Sequence, residues 1–300
     1  MSTKKDLILT ALQSVGFDYI APFIISLKRT GFQGQLVVFA SDLKPETVRQ
    51  IQDHGAAVVA FPYVSKRLRE AFIWPVWPLW SRYFGQNGLT PMKEKLAHVA
   101  LSLIYRRHLI ALQYLRLRHG QFDRVFLTDA RDVFFQADPF SWQPGSGMHF
   151  FLLSRANTIQ TERLYLNWTE NQFGRTDPQP YLDKAMACAG TTFGDTGSVI
   201  NYLTQMVSVS LRARKPRKII VGDQGVHNFL IYENQLPAMT LHSNEDGPVL
   251  TSTFMTMKDI TLNSDGLVVN HQGKVIPILH QYDRIPDLKK HLLARLSPAV

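Results

Sequence analysis

Two carboxylates three positions apart, Asp129 and Asp132, flank Arg131 in the segment Phe126-Leu127-Thr128-Asp129-Ala130-Arg131-Asp132-Val133-Phe134-Phe135. Apolar residues on both sides press these three charges into a tight turn beside a buried strand. Carboxylates placed in this way can share a hard divalent cation, and a guanidinium next to them can meet phosphate or pair with a carboxylate. The same residues also suit a buried turn knitted by an arginine-aspartate network, with a structural role alone. Cys188, the only cysteine, has no base beside it in sequence and reads as a packed side chain.

The elements that must position this turn follow from hydrophobic pattern. Residues 7–12 read as a first strand, and 19–28 as a helix ending near Gly31. A second strand covers 34–40. A helix over 44–54 follows, with Ser41 or Asp42 near its start, Pro45 in its first turn and Gly55 at its end; a third strand covers 56–61. Strands alternating with helices predict a largely parallel sheet covered by helices. Pro75 and Pro78 then interrupt the rhythm in a segment carrying Trp74, Trp77 and Trp80, which can plug the core, line an acceptor groove or meet a membrane surface. A helical region spans 91–118, as one helix or two, and His119-Gly120 ends it. The run Val125-Phe126-Leu127 is the core of a further strand that ends at Asp129, and in parallel α/β folds ligands gather at the carboxyl ends of strands. Beyond it, 150–153 and 218–221 read as strands and 201–212 as a helix. Asp223 is expected to cap a helix beginning near Val226, and 266–270 and 275–280 read as short strands.

Three hundred residues with 45% hydrophobic and 19% charged content form one large domain or two tightly joined halves, and the composition is not that of a disordered chain. A single cysteine excludes an internal disulfide and any multi-cysteine metal site. The amino-terminal apolar stretch is too short to span a bilayer and reads as a strand. The apolar region 99–117 is broken by Arg106, Arg107, His108 and Arg116, so it reads as a helix of a soluble protein. The expected location is the cytoplasm, with docking at the inner face of a membrane as an option. A net charge of +9 suits nucleic acid, an anionic membrane or a phosphorylated small molecule. No nucleic-acid-binding motif is present, and no nucleic acid partner is expected. The densest basic cluster, Arg212, Arg214, Lys215, Arg217 and Lys218, reads as a solvated helix end or a phosphate or membrane contact.

The 122–140 segment resembles the signature region of nucleotide-sugar-dependent glycosyltransferases of the GT-A superfamily, nearest in pattern to its retaining families. The resemblance implies an α/β fold, a GT-A-like Rossmann-type mixed sheet flanked by helices. It implies one domain over 1–300, with 1–140 mainly nucleotide-binding and 141–300 mainly supplying acceptor-binding and carboxyl-terminal site elements. In that superfamily an Asp-X-Asp element ends a core strand, touches the ribose and holds a divalent cation against the diphosphate. Asp129 matches the first acidic position; Arg131 stands at the second, and the next carboxylate is Asp132. Either the turn shifts so that Asp132 reaches the metal, or Arg131 neutralises the diphosphate. Residues 11–15 correspond to the end of the first strand, which contacts the base or ribose. The segment 188–194 resembles a glycine-containing wall near donor sugar and acceptor. Asp223-Gln224 resembles an acidic element preceding a helix, and His280 a carboxyl-terminal metal-binding histidine.

On this resemblance the chain is a glycosyltransferase, a hexosyltransferase by expectation. It would move sugar from a nucleotide-diphosphate donor to a hydroxyl of a glycan or lipid-linked glycan, as in polysaccharide biosynthesis. Asp129, Asp132 and His280 are the expected ligands of Mn2+ or Mg2+. Asp129 and Arg131 are expected to contact the nucleotide sugar, together with Arg106 or Arg107, one of which would turn to the site while the other faces water. Asp223, with Gln224 beside it, and Asp195 are the candidates for catalytic work on the acceptor; a retaining enzyme would rely on the departing phosphate or a transient nucleophile. Peripheral membrane association, through the basic cluster or the tryptophans, is compatible with this reading. The alternatives are a metal-dependent phosphohydrolase and a non-enzymatic polyanion-binding protein.

Overall fold

The computed structural model describes residues 5–73, 75–77, 79, 88–153, 157–173, 181–212, 222–233 and 235–296. The first strand, β1 (Asp6–Gln13), is apolar on both faces, as a strand covered on both sides must be. Leu7 and Leu9 point into one core and Ile8 and Leu12 into the other. Parallel to β1 run β2 (Gln35–Ser41) on one side and β4 (Arg124–Thr128) on the other, and β3 (Ala57–Ala60) runs parallel to β2. Two helices join these first strands, α1 (Ala21–Arg29) and α2 (Pro45–Asp53). Gly31 and Gly55, at φ +73° and +89°, take the left-handed turns that end them.

The predicted helical region before β4 is two helices, α3 (Pro91–Ala100) and α4 (Leu103–Leu117). Residues Lys66–Leu68 and Arg69–Ile73 form a short irregular helical stretch ahead of them. After β4 come the short β5 (Val133–Phe135), then β6 (Met148–Leu152), α5 (Arg163–Phe173) and the nine-residue β7 (Ala187–Asp195). The expected glycine-containing wall over 188–194 is therefore a full strand, antiparallel to both β4 and β6. Its buried threonines and glycines gave no apolar run from which a strand could be read. Next are α6 (Thr196–Ser210), α7 (Asp223–Tyr232) and β8 (Met239–His242), which pairs parallel to β6.

The result is a seven-stranded mixed sheet in the order β3-β2-β1-β4-β7-β6-β8, an α/β architecture with helices packed on the sheet. The sheet is continuous from strands before residue 140 to strands after it. Three further segments, β9 (Val249–Thr251), β10 (Thr261–Leu262) and β11 (Val268–Val269), precede β12 (Ile278–His280) and the last helix, α8 (Pro286–Ala294). β12 pairs antiparallel with β5 and parallel with β9. This small sheet is what carries His280 back to the turn that leaves β4.

Two expected elements are corrected. The helix expected over 201–212 starts at Thr196, because the Asp195 carboxylate accepts from the Ser198 backbone N–H and caps it. Asp223 does not cap the next helix: Gly222 stands at the cap, and Asp223 is the first helical residue. The expected strand 218–221 lies outside the described residues, as do Trp74, Trp80 and the basic cluster except Arg212. Trp77 is buried as part of the core, at 1% exposure. Among the described residues, no helix is long and apolar enough to cross a membrane.

Candidate active site

At the carboxyl end of β4 the chain turns sharply through Asp129 and Asp132 into β5. The turn is anchored to both neighbouring sheets. The Asp129 N–H donates to the Gly190 carbonyl of β7 at 2.9 Å, and the Asp132 carbonyl accepts from the Gln281 N–H at 2.6 Å, one residue past β12. Gln281 sits at φ +55°, a conformation disfavoured for a residue with a Cβ, and it follows directly on His280.

These anchors bring His280 Nε2 to 3.7 Å from Asp129 Oδ2 and 3.8 Å from Asp132 Oδ1. His280 is fully buried, yet its Nε2 has no hydrogen-bond partner. One atom from each of the three side chains lies within 4.8 Å of the other two. Ligand atoms around a small hard cation stand about 3–4 Å apart, so a modest contraction completes a coordination face. Two carboxylates and one imidazole are a donor set that a divalent metal ion could share. The other face of the ring is fixed as a ligand's would be: His280 Nδ1 lies 3.3 Å from Thr251 Oγ1 and 3.6 Å from Cys188 Sγ.

Gly190 makes this approach possible. A Cβ at that position would lie 2.6 Å from Asp129 Oδ2 and 2.7 Å from His280 Nε2. Only a residue without a side chain lets β7 pass under the two groups.

Arg107 of α4 links the turn to α7. Its guanidinium pairs with Asp129 through Nη1 and donates to Asp223 Oδ2 at 2.8 Å through Nη2. His108 Nε2 stands 3.4 Å from the same Asp223 oxygen. Burial pushes the Asp129 carboxyl up, but Arg107 and His280 outweigh it and hold the carboxyl far below its ordinary range. For Asp223 burial again raises, while Arg107 and His108 lower it to a net depression. Both carboxylates are therefore ionised at neutral pH. Burial pulls His280 down, and its contacts with Cys188, Asp129 and Asp132 reverse that and raise it well above the ordinary value. A group of this charge favours a cation, either a proton on His280 or a metal in its place.

The predicted residues thus divide. Asp129, Asp132, His280, Arg107 and Asp223 come together. Arg131 stands at the rim, with Nη2 2.9 Å from Asp132 Oδ2 and 3.4 Å from Asp283. Gln224 is taken up inside the fold: it accepts from the Ala189 N–H at 3.0 Å and donates to the Ala187 carbonyl, pinning β7 to α7. Asp195 is paired in register with Arg124 at the opposite end of β4, where it accepts from Gly147 N–H and Ser198. Its depressed pKa, from those backbone donors against the upward push of burial, belongs to a cap. The expectation that one of Arg106 and Arg107 faces water is corrected: Arg107 turns to Asp129 and Asp223 and stays partly exposed, while Arg106 is buried at 1% exposure, one turn before the buried Ile110 of α4. Sequence reasoning missed Thr251, His108 and the contact between Cys188 and His280. None stands near Asp129 in sequence, and only tertiary pairing joins them.

No protein-family model matches this chain, and no curated protein matches it, so the geometry of Asp129, Asp132 and His280 carries the functional reading.

Proposed function

We propose that the protein is a nucleotide-sugar-dependent glycosyltransferase of GT-A type, metal-assisted, acting on a glycan or lipid-linked glycan hydroxyl. The observation that carries this reading is the buried Nε2 of His280, which makes no hydrogen bond and stands 3.7 and 3.8 Å from Asp129 and Asp132 at the carboxyl end of a strand parallel to β1. Asp129, Asp132 and His280 would hold Mn2+ or Mg2+, which supplies positive charge to the departing diphosphate. Arg107 fixes the Asp129 carboxylate from behind, so that Oδ2 stays turned to His280. Arg131, at the open rim, is free to exchange part of its pairing with Asp132 and Asp283 for a phosphate oxygen.

The arrangement favours retention. An inverting enzyme needs a carboxylate that can take the acceptor proton. Asp223 is buried and held by Arg107 and His108, and Asp195 caps a helix at the far edge of the sheet. Both carboxylates are engaged within the fold, and in this reading the departing phosphate oxygen receives the acceptor proton.

The test is turnover of a nucleotide-sugar panel by the full chain with Mn2+, with Mg2+ and with EDTA, with and without glycan acceptors. One donor class should be bound and consumed, faster with acceptor, and EDTA should stop consumption. Metal-dependent hydrolysis of simple phosphate esters, with indifference to every nucleotide sugar, would replace this reading with the phosphohydrolase. Binding of polyanions without turnover of any kind would favour the binding protein.

A further inference from the structure

Next to the segment that carries His280, a bulky apolar residue is held in a conformation and an exposure that are both unfavourable. Phe254 is 47% exposed and sits at φ +67°. It is the third residue of the turn 252–255, which the Met255 N–H closes on the Ser252 carbonyl at 3.1 Å. Type II turns take glycine at that place, because a residue with a side chain is strained there. The turn is firmly anchored. The Ser252 N–H donates to the His280 carbonyl at 3.0 Å, and the Ser252 hydroxyl lies 3.1 and 2.8 Å from the His280 and Gln281 carbonyls. Thr253 Oγ1 donates to the Gln281 side chain. Phe254 therefore stands two residues from a direct bond to the strand end that brings His280 to Asp129 and Asp132.

The ring forms one wall of a groove of about 420 Å³, whose other walls include Met255, Lys258, Asp259, Asn270 and His271. That volume falls in the range of sites for small organic ligands. The wall chemistry is mixed. Phe254 and Met255 offer apolar surface, while Lys258, Asp259 and His271 are exposed and present charged or hydrogen-bonding groups. Asn270 is held through Oδ1, which accepts from the Gln272 and Lys274 N–H groups at 3.0 Å each, and its Nδ2 remains a donor. One aromatic face among several polar groups matches a pyranose ring, whose C–H face is apolar and whose rim carries hydroxyls. A phosphate alone would leave the aromatic ring unused, and an aliphatic chain would desolvate the polar walls without pairing them.

We infer that this groove is a carbohydrate-binding site in which Phe254 is the stacking platform for a pyranose ring, its backbone held left-handed by the anchored turn. As a carbohydrate site it requires neither a nucleotide donor nor a metal. That the bound glycan is the acceptor rests on the transfer reading, and the anchorage of the turn to His280 and Gln281 is what joins the two.

The experiment is ligand-observed NMR titration of the full chain, in EDTA, with lactose, maltose, cellobiose and chitobiose. Saturable binding of at least one is expected, weakened about tenfold or more by Phe254→Gly and retained by Phe254→Tyr, which keeps an aromatic face. Glycine suits φ +67°, so Phe254→Gly should melt at the parent's temperature or higher, whereas loss of a residue that served packing alone would lower it. In the transfer assay Phe254→Gly should raise the acceptor KM and leave the donor KM unchanged. Saccharide binding that is lost in Phe254→Gly, in a protein that consumes no nucleotide sugar, would uphold the site and remove the transfer reading. Donor turnover with an acceptor KM unaltered in Phe254→Gly would do the reverse. Absence of saturable binding of all four sugars by the folded parent, or equal binding by parent and Phe254→Gly, would overturn the site. So would a marked fall in melting temperature for Phe254→Gly with saccharide affinity unaltered.

Discussion

Replacing Asp223 by alanine should lower the free energy of unfolding by about 3–5 kcal/mol, the loss typical when one member of a buried ion pair is removed. Asp223 is 2% exposed and accepts from Arg107 at 2.8 Å, with His108 at 3.4 Å. Without it, Arg107 keeps only Asp129 and a long contact to the Ala189 carbonyl, and a cationic side chain is left half-compensated beside β7. Asp223→Asn keeps an acceptor oxygen and should cost less than the alanine variant. Urea denaturation of the three proteins measures this directly. A difference below about 1 kcal/mol between parent and Asp223→Ala, the range of exposed pairs, would show that Asp223 does not support Arg107 as described.

Gly190→Ala should reduce turnover by about 100-fold or more, the scale of loss when reacting groups are displaced by an ångström. The new methyl would stand 2.6 Å from Asp129 Oδ2 and 2.7 Å from His280 Nε2, inside van der Waals contact with both. Neither neighbour can easily yield. His280 is fully buried against Thr251 and Cys188, and Asp129 is backed by Arg107. The stability cost should be about 1–3 kcal/mol, as for other overpacked cores, so a folded variant is expected at room temperature. Gly145→Ala, where a Cβ meets nothing within 4 Å, is the control and should leave turnover unchanged. Equal activity of the two variants would mean that the space beside Gly190 is not part of the site.

Much of this arrangement is legible in the sequence, for reasons that differ by region. The alternation from residue 7 to residue 61 was legible because β1 and β2 are covered on both faces and so appear as largely apolar runs, β3 is a short apolar run as well, and the helices between them end at Gly31 and Gly55. The turn after β4 was legible because charges packed between Leu127 and Val133 cannot be explained by solvent exposure alone. The strand β7 was not: its sequence ACAGTTFGD is buried along most of its length but is made of small and hydroxyl residues, and its glycines serve close approach rather than a loop. Asp195 misled for a related reason, since an aspartate before Thr-Gly-Ser reads equally as a site or a cap, and only the register with Arg124 puts it at the wrong end of β4. The links from Arg107 to Asp223 and from Thr251 to His280 span 116 and 29 positions and leave no local trace.

The most direct test of the central claim is Mn2+ binding to the full chain, followed by electron paramagnetic resonance with detection of nitrogen coupling. The account predicts one Mn2+ per chain with a coupled imidazole nitrogen, the coupling lost in His280→Gln and the affinity lost in Asp129→Ala. Mn2+ bound without nitrogen coupling, or bound equally by the parent and by Asp129→Ala, would contradict it.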